Sequence, residues 1–227
     1  MVTLMETQLI LFTRPLPYSE GLRLQEQWVT ERQADTIPDQ LILLEHTPVI
    51  TRGVRSKSEH LLLSPELLAR RGIEMFETPR GGDVTYHGPG QLILYPIMKL
   101  TGPEADVHAF VGKLEEIAIL TADAFCVNAF RRKGKTGVWT DQGKMAAIGI
   151  RFKKWVSSHG MSFNVDMDMG GFDAIVPCGL HGEKVTSLRQ ILGDTCPTMA
   201  EVRAVMMRQF ERVMHRTLIT PGSGHHR

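Results

Sequence analysis

The segment VPCGL, residues 176–180, places a cysteine between a proline and a glycine, and a histidine and a charged stretch follow it directly. A cysteine attacks as its thiolate, so a nearby cation or base must raise the thiolate fraction at neutral pH. The chain offers Lys144, His159 and His181 for this task, each from a different segment. Because buried, inert cysteines are common, packing and catalysis both remain open for Cys178 on these residues alone.

A second candidate is the glycine-rich run RGGDVTYHGPGQ, residues 80–91. Closely spaced glycines let the main chain approach a ligand or turn sharply, and Arg80, Tyr86 and His87 add polar groups. The run therefore indicates either a binding loop or a plain hairpin. The dinucleotide spacing G-x-G-x-x-G is absent, because Ile93 stands where the third glycine would be.

Other common sites are not indicated. The turn RRKGKTG, residues 131–137, lacks the first glycine of a phosphate loop, since Ala129 occupies that position. Its charges suit a solvated turn or a surface that steers an acidic partner. The sequence has neither the H-E-x-x-H pattern of zinc enzymes nor the G-x-S-x-G pattern of serine hydrolases, so no metal is expected.

Composition bounds the class of protein. The 227 residues are 42% hydrophobic and 22% charged with a net charge of +1, which is typical of a globular domain and predicts neither nucleic-acid nor membrane binding. No apolar run is long enough for a membrane span, and no secretory signal is evident. Three cysteines without a C-x-x-C pair fit a reducing cytoplasm. We expect one domain over residues 1–220 and a flexible tail over 221–227.

Periodicity predicts the helices and strands that carry these residues. Helical spacing predicts helices over about 18–29, 64–72, 104–125 and 198–215, with Ser19 and Ser64 as caps and a capping box from Thr198 to Glu201. Apolar runs predict strands at 40–46, 48–53, 91–98, 137–140, 145–152 and 161–167. This places helices at both ends of the chain and strands in the middle. Strands between 137 and 166 leave no room for helices, so neighbours there should be antiparallel, which predicts an α+β class.

Three segments in order resemble the lipoate-pathway octanoyltransferase family: RGGDVTYHGPGQLILYPI, GVWTDQGKMAAIGIRFKKWVSSHGMSFNVDMD and IVPCGLHGEKVTSL. The resemblance spans about residues 41–192. It implies a mixed, largely antiparallel sheet with packed helices, similar to the catalytic domain of biotin and lipoate ligases. It also implies Cys178 as the acyl-thioester residue and Lys144 as the acid and base beside it. The implied acyl site comprises Arg80, Gly81, Gly82, Asp83, Val84, Thr85, Tyr86, His87, Ala147, Ile148, Gly149, Gly160, Met161 and Ser162.

Two positions depart from the family pattern. Ser162 stands where alanine is more frequent, which adds a hydroxyl near the implied acyl chain. Asp83 stands where glutamine is frequent, and no role is assigned to it. Main-chain amides at Gly149 or near Cys178 are candidate donors to the oxyanion of the reaction.

The resemblance further implies the partners. The donor would be octanoyl-acyl carrier protein, and the acceptors would be lipoyl domains of 2-oxoacid dehydrogenase E2 subunits and the glycine cleavage H protein. No ATP, metal or other cofactor is expected, and the protein is expected to be a monomer. The alternatives are an ATP-dependent lipoate or biotin ligase of the same fold, a cysteine acyl hydrolase using His159 or His181, and a non-catalytic acyl-binding module.

Overall fold

The computed structural model describes residues 5–176 and 182–220. Cys178, His181 and the predicted tail therefore lie outside the described residues. Within the described ranges, no helix combines the length and apolar character that crossing a bilayer requires.

Most of the strands form one large mixed sheet: β1 (Met5–Leu11), β2 (Asp39–Leu44), β6 (Gln91–Ile97), β7 (Phe130–Arg132), β8 (Lys135–Thr140), β9 (Gly143–Lys153), β10 (Val156–Asn164) and β11 (Arg216–Ile219). Their order in the sheet is β11-β1-β2-β6-β10-β9-β8-β7. The pairs β11-β1 and β1-β2 are parallel, and all the other pairs of this sheet are antiparallel.

A smaller sheet in the order β4-β3-β5 comprises β3 (Val49–Arg52), β4 (Glu74–Glu77) and β5 (Val84–His87). The helices are α1 (Tyr18–Gln33), α2 (Pro65–Arg70), α3 (Val107–Asp123), α4 (Leu188–Leu192) and α5 (Met199–Met214). A 3₁₀ helix over Met169–Ala174 packs beside the smaller sheet.

Alternation along the central strands builds a core on each face of the large sheet. Leu41 and Leu43 of β2 point into the cluster formed with α3 and α5, whereas Ile42 and Leu44 point to the opposite face, where Val29 of α1 packs. Because successive side chains of a strand alternate, a continuous apolar run such as QLILL indicates a strand covered on both sides.

The α+β class with a largely antiparallel sheet is confirmed, as is the antiparallel order of β8, β9 and β10. The capping box from Thr198 to Glu201 and the Ser64 cap are also present. Such caps stabilise a helix by about 1 kcal/mol each, because they satisfy main-chain N–H groups that have no partner within the helix.

Two of the predictions about the ends of the chain are wrong. Strand β1 precedes the first helix and β11 follows the last one, so the described part of the chain begins and ends in strands and not in helices. Both strands are only partly buried, so they lack the strong apolar pattern that marks central strands. Ser19 does not cap α1, because the helix begins at Tyr18 directly after Pro17, and no side chain among the described residues caps it.

Candidate active site

The predicted acyl-site segments meet at a cavity between the two sheets. Its volume is about 330 Å³, which falls within the range of small-molecule sites. Strand β5 forms one wall, and β6, β9 and β10 form the other. All but two of the predicted acyl-site residues line this cavity. The residues in the lining are Arg80, Gly82, Asp83, Val84, Thr85, His87, Ala147, Ile148, Gly149, Gly160, Met161 and Ser162.

Gly81 and Tyr86 are the two residues outside the lining. Strand alternation turns the Tyr86 ring away from the cavity and onto Phe172, at a centroid distance of 5.5 Å. Gly81 instead donates its N–H to the carbonyl of Ile150 over 2.9 Å, which fixes the glycine-rich run against β9. At Gly149 a Cβ would lie 2.7 Å from the Gly81 carbonyl oxygen, so this close approach requires glycine.

Lys144 lies at the start of β9, and its side chain reaches the cavity although only 6% of the residue is exposed. Its Nζ stands 5.4 Å from the ring centroid of the buried Trp139. Gly137 has a φ of +113°, and a Cβ there would come within 2.6 Å of Lys144 Cε. The lysine stem therefore fills the space that the glycine leaves open, and an aromatic face lies beside the ammonium.

The main chain of Lys144 is joined to the segment that follows the P-C-G motif. The Lys144 N–H donates to the carbonyl of Lys184 over 2.8 Å, and its carbonyl accepts from Thr186 N–H over 3.0 Å. Val185 is thus paired with Lys144 in a parallel bridge. Before the motif, Val176 N–H donates to the carbonyl of His60 over 2.8 Å.

Arg80 is a buried cation held against the wall of the cavity. Its guanidinium donates to the Thr51 hydroxyl through Nε at 3.1 Å and through Nη2 at 2.8 Å, and to the Thr51 carbonyl at 2.7 Å. Asp83, to which the sequence assigned no role, pairs with His60 over 2.6 Å between Oδ2 and Nδ1. Two charged residues of the glycine-rich run are therefore anchored, Arg80 on β3 and Asp83 on the 3₁₀ helix over Ser58–His60.

Three buried histidines lie at or behind the cavity wall as neutral imidazoles. His87 and His159 line the cavity, and the His46 ring lies behind them, 6.0 Å from the His87 ring centroid. Desolvation by burial lowers the pKa of His46 to about 4. Burial, followed by the charge of His46, lowers the pKa of His87 to about 3, and burial, followed by the charge of Arg80, lowers that of His159 to about 3. A carbonyl oxygen can only accept, so His46 donates through Nδ1 to Leu16 and its Nε2 accepts from the Tyr95 hydroxyl.

These histidines predict an acid-sensitive fold. Between about pH 4 and 6.5 the unfolded chain binds protons at positions that stay neutral in the folded chain, so the free energy of unfolding should decrease as the pH falls through this window. The expected loss is on the order of several kcal/mol, since one pKa unit corresponds to about 1.4 kcal/mol. Urea-unfolding midpoints across this range measure it.

A matched pair of variants tests the cause. His46→Gln should reduce the pH dependence, because a neutral amide replaces one buried imidazole. His108→Gln, at an exposed position, should leave it unchanged. A stability that stays constant between about pH 7 and 4.5 would contradict the assignment.

Carboxylates accompany the basic turn at residues 131–137. Arg131 pairs with Glu115 and Glu116, and Arg132 and Lys135 both pair with Glu183. The charges are thus largely paired within the chain, which weakens the prediction that the turn steers an acidic partner. Glu183 lies just after the P-C-G motif in the sequence, so its ion pairs tie that part of the chain to the β7-β8 hairpin.

Several residues of the lining lie outside the predicted acyl-site segments: Tyr18, Arg55, Ile93, Tyr95, Gly134, Lys135 and Thr136. Tyr18 and Tyr95 carry a usable signal, because a polar aromatic residue inside an apolar stripe is rarely fully buried without a role for its hydroxyl. Burial raises the pKa of Tyr18 to about 12, so both its hydroxyl and that of Tyr95 remain protonated in the cavity wall.

Comparison with known proteins identifies the family to which the chain is similar. Residues 17–211 match the lipoyl protein ligase A/B catalytic domain. An octanoyltransferase of Maridesulfovibrio salexigens is 42% identical over 204 residues, which cover 90% of this chain and 95% of the relative. An octanoyltransferase of Syntrophotalea carbinolica is 43% identical over 199 residues, which cover 88% of this chain and 90% of the relative.

Solved structures share the fold at much lower identity. A bipartite lipoate protein ligase of Thermoplasma acidophilum superposes with a TM-score of 0.73 at 16% identity, covering 96% of this chain and 88% of the other. A lipoate-protein ligase A bound with ATP gives 0.70 at 17% identity, with 96% and 90% covered. A biotin protein ligase of Aquifex aeolicus gives 0.53 at 11% identity, with 93% and 70% covered. The predicted likeness to the biotin and lipoate ligase domain is confirmed.

Proposed function

The chain belongs to the octanoyltransferase family, acyltransferases with the lipoyl protein ligase A/B catalytic domain, and from this membership we propose that it octanoylates lipoyl domains. In this proposal the octanoyl group comes from octanoyl-acyl carrier protein and passes to a lysine of the acceptor through a thioester on Cys178. Lys144 acts as the acid and base of both half-reactions.

The observation that carries this proposal is the position of Lys144. Its buried side chain lines the cavity built from the predicted acyl-site segments, and its main chain pairs with Val185, which follows Cys178 by seven positions in the sequence. This placement of Lys144 supports the proposal that it acts as acid and base beside the P-C-G motif.

The first half-reaction moves the acyl group onto the enzyme. The Cys178 thiolate attacks the carbonyl carbon of the donor thioester, forming the new C–S bond as the bond to the phosphopantetheine sulfur breaks. The Lys144 ammonium gives its proton to the departing thiolate. Octanoyl-Cys178 and a neutral Lys144 amine remain.

The second half-reaction returns the site to its starting state. The ammonium of the acceptor lysine gives one proton to the Lys144 amine, and the resulting free amine attacks the thioester. The C–S bond breaks, Cys178 leaves as a thiolate, and the second proton of the new amide nitrogen passes to solvent. A cavity that excludes water protects the thioester between the two steps.

The cavity supports discrimination by chain length only in part. Burying seven acyl carbons at roughly 0.8 kcal/mol each gives about 5 kcal/mol, which favours octanoyl strongly over acetyl. One methylene changes binding by only about 1–3 kcal/mol, so the preference for eight carbons rests on the family and not on the cavity.

The partners are also proposals. A structural neighbour, the archaeal ligase of Thermoplasma acidophilum, is described together with its E2 lipoyl domain, which supports lipoyl domains as acceptors. We extend this to the lipoyl domains of 2-oxoacid dehydrogenase E2 subunits and to the glycine cleavage H protein. Action in the cytoplasm as a monomer, without ATP or metal, stays a prediction from the sequence.

Trapping the intermediate tests the proposal. The protein is incubated with octanoyl-acyl carrier protein and no acceptor, and the intact mass and the position of the adduct are determined. An octanoyl thioester on Cys178 that transfers to an added lipoyl domain is the expected result. A parallel incubation with octanoate and ATP tests the ligase alternative, which requires an acyl-adenylate, and release of free octanoate without an acceptor would indicate a hydrolase.

A further inference from the structure

A chain of side-chain amides runs through the protein from the cavity wall to the segment after the P-C-G motif. His87 Nδ1 lies 2.7 Å from Gln91 Oε1, Gln91 Nε2 lies 2.8 Å from Asn164 Oδ1, and Asn164 Nδ2 lies 2.8 Å from the carbonyl oxygen of Thr186. His87, Gln91 and Asn164 are all buried. Because bulk water does not reach these groups, each donor in the network must face an acceptor of the protein, and a mismatched pair would stay unsatisfied.

The last bond fixes the direction of every donor in the chain. The Thr186 carbonyl can only accept, so Asn164 presents its NH₂ there and turns its oxygen to Gln91. Gln91 then donates to Asn164 and accepts from His87, which carries its proton on Nδ1. This agrees with a neutral His87 whose pKa burial lowers to about 3.

The same carbonyl belongs to the segment that holds Lys144. Thr186 donates its own N–H to the Lys144 carbonyl, and the Lys144 N–H donates to Lys184. Residues 184–186 therefore lie between Lys144 on one side and Asn164 on the other. Asn164, Lys144 and Val185 also line one small cavity together.

We infer that Asn164 is a positioning residue for octanoyl transfer: its amide holds the segment 184–186 in register with Lys144 and thereby sets where the lysine ammonium lies. The inference rests on the proposed function, because it concerns the placement of the proposed acid and base. Asn164 itself does not contact the reacting atoms in this assignment. It acts through Thr186 and Lys144, and a shift of about 1 Å in a catalytic group can cost roughly 100-fold in rate.

Asn164→Asp is the sharpest test, since it changes the shape of the side chain very little. The carboxylate keeps an acceptor for Gln91 but places a second acceptor against the Thr186 carbonyl, where a donor is needed. We expect kcat for acylation of Cys178 to fall by roughly 10- to 100-fold, while KM for octanoyl-acyl carrier protein changes little.

The pH profile of the variant distinguishes positioning from a general loss of structure. Burial raises the pKa of a carboxyl group, and the protonated form regains a donor for the Thr186 carbonyl. The ratio of variant to wild-type kcat should therefore rise as the pH falls from about 8 to 5.5. The titratable groups linked to Asn164 through this network are His87 and Lys144. Burial holds the pKa of His87 at about 3, so this imidazole stays neutral over the whole range.

Two controls accompany the test. Ser157 lies on the same strand as Asn164, and its hydroxyl donates to the Pro96 carbonyl and accepts from Met98 N–H. Ser157→Ala removes these buried hydrogen bonds and should lower stability without changing kcat. Asn128→Asp makes the same chemical change at an exposed position and should have no effect.

The outcomes separate this inference from the proposed function. If wild type acylates Cys178 but Asn164→Asp has an unchanged kcat, the positioning role alone is overturned. The same holds if the ratio of variant to wild-type kcat does not depend on pH. A wild-type protein that never forms the Cys178 thioester would overturn the proposed function first.

Discussion

Replacing Cys178 by alanine is expected to abolish octanoyl transfer, with kcat falling by roughly 10⁴- to 10⁶-fold, as for other covalent nucleophiles. The side chain that bonds to the acyl carbon is then missing, and no group in the proposed mechanism can replace it. Octanoyl-acyl carrier protein should still bind, because the cavity residues are unchanged. The measurement is octanoylation of a lipoyl domain over time, together with the intact mass of the enzyme without acceptor.

Cys126→Ala is the matched control, because Cys126 is an exposed thiol elsewhere in the chain. Its activity and its ability to form the thioester should equal those of wild type. An undiminished octanoyl adduct in Cys178→Ala would show that another residue carries the acyl group, and the proposal for Cys178 would fall.

Lys144→Met is expected to lower kcat by roughly 10²- to 10⁴-fold, the usual contribution of a general acid and base. Methionine keeps an unbranched apolar side chain against Trp139 and in the space beside Gly137, so the fold should be largely preserved. Without the ammonium, the thiolate fraction of Cys178 at neutral pH should decrease, and the leaving thiolate has no proton donor.

The dependence on pH makes this prediction specific. Acylation by Lys144→Met should recover in part as the pH rises, because a thiol ionises by itself at high pH. Lys144→Arg keeps a cation but cannot give up its proton, so it should be defective both as the acid of the first half-reaction and as the base of the second. Lys153→Met, at an exposed position on the same strand, serves as the control. A rate profile of Lys144→Met that matches wild type would remove the lysine from the mechanism.

Strands and helices with strong apolar periodicity could be predicted from the sequence, and the edges of the fold could not. The buried run of β2 and the capped helix α5 carry local signals that depend on few neighbours. Strands β1 and β11 are partly exposed and form largely through pairing with distant segments, β11 with β1 and β1 with β2. Their position at the ends of the chain follows from that pairing and not from their own composition.

The residues of the site also divide into those that could be predicted from the sequence and those that could not. The glycine-rich run and the A-I-G and G-M-S segments could be named in advance because their sequences resemble a family, and most of their residues line one cavity. Tyr86 shows the limit, since only the strand register decides that Thr85 and His87 face the cavity while Tyr86 packs on Phe172.

The amino-acid sequence specifies which residue types are available: one thiol in a P-C-G motif, one lysine in G-K-M and glycines where close approach is needed. The burial of Lys144 in the cavity wall and the pairing of its main chain with the segment after the P-C-G motif are properties of the folded chain. They could not be read from the sequence, because pairing between distant segments depends on the whole sheet. Local sequence fixes side-chain chemistry, whereas hydrogen bonds such as those from Asn164 through Thr186 to Lys144 exist only after residues far apart in the chain have been brought together.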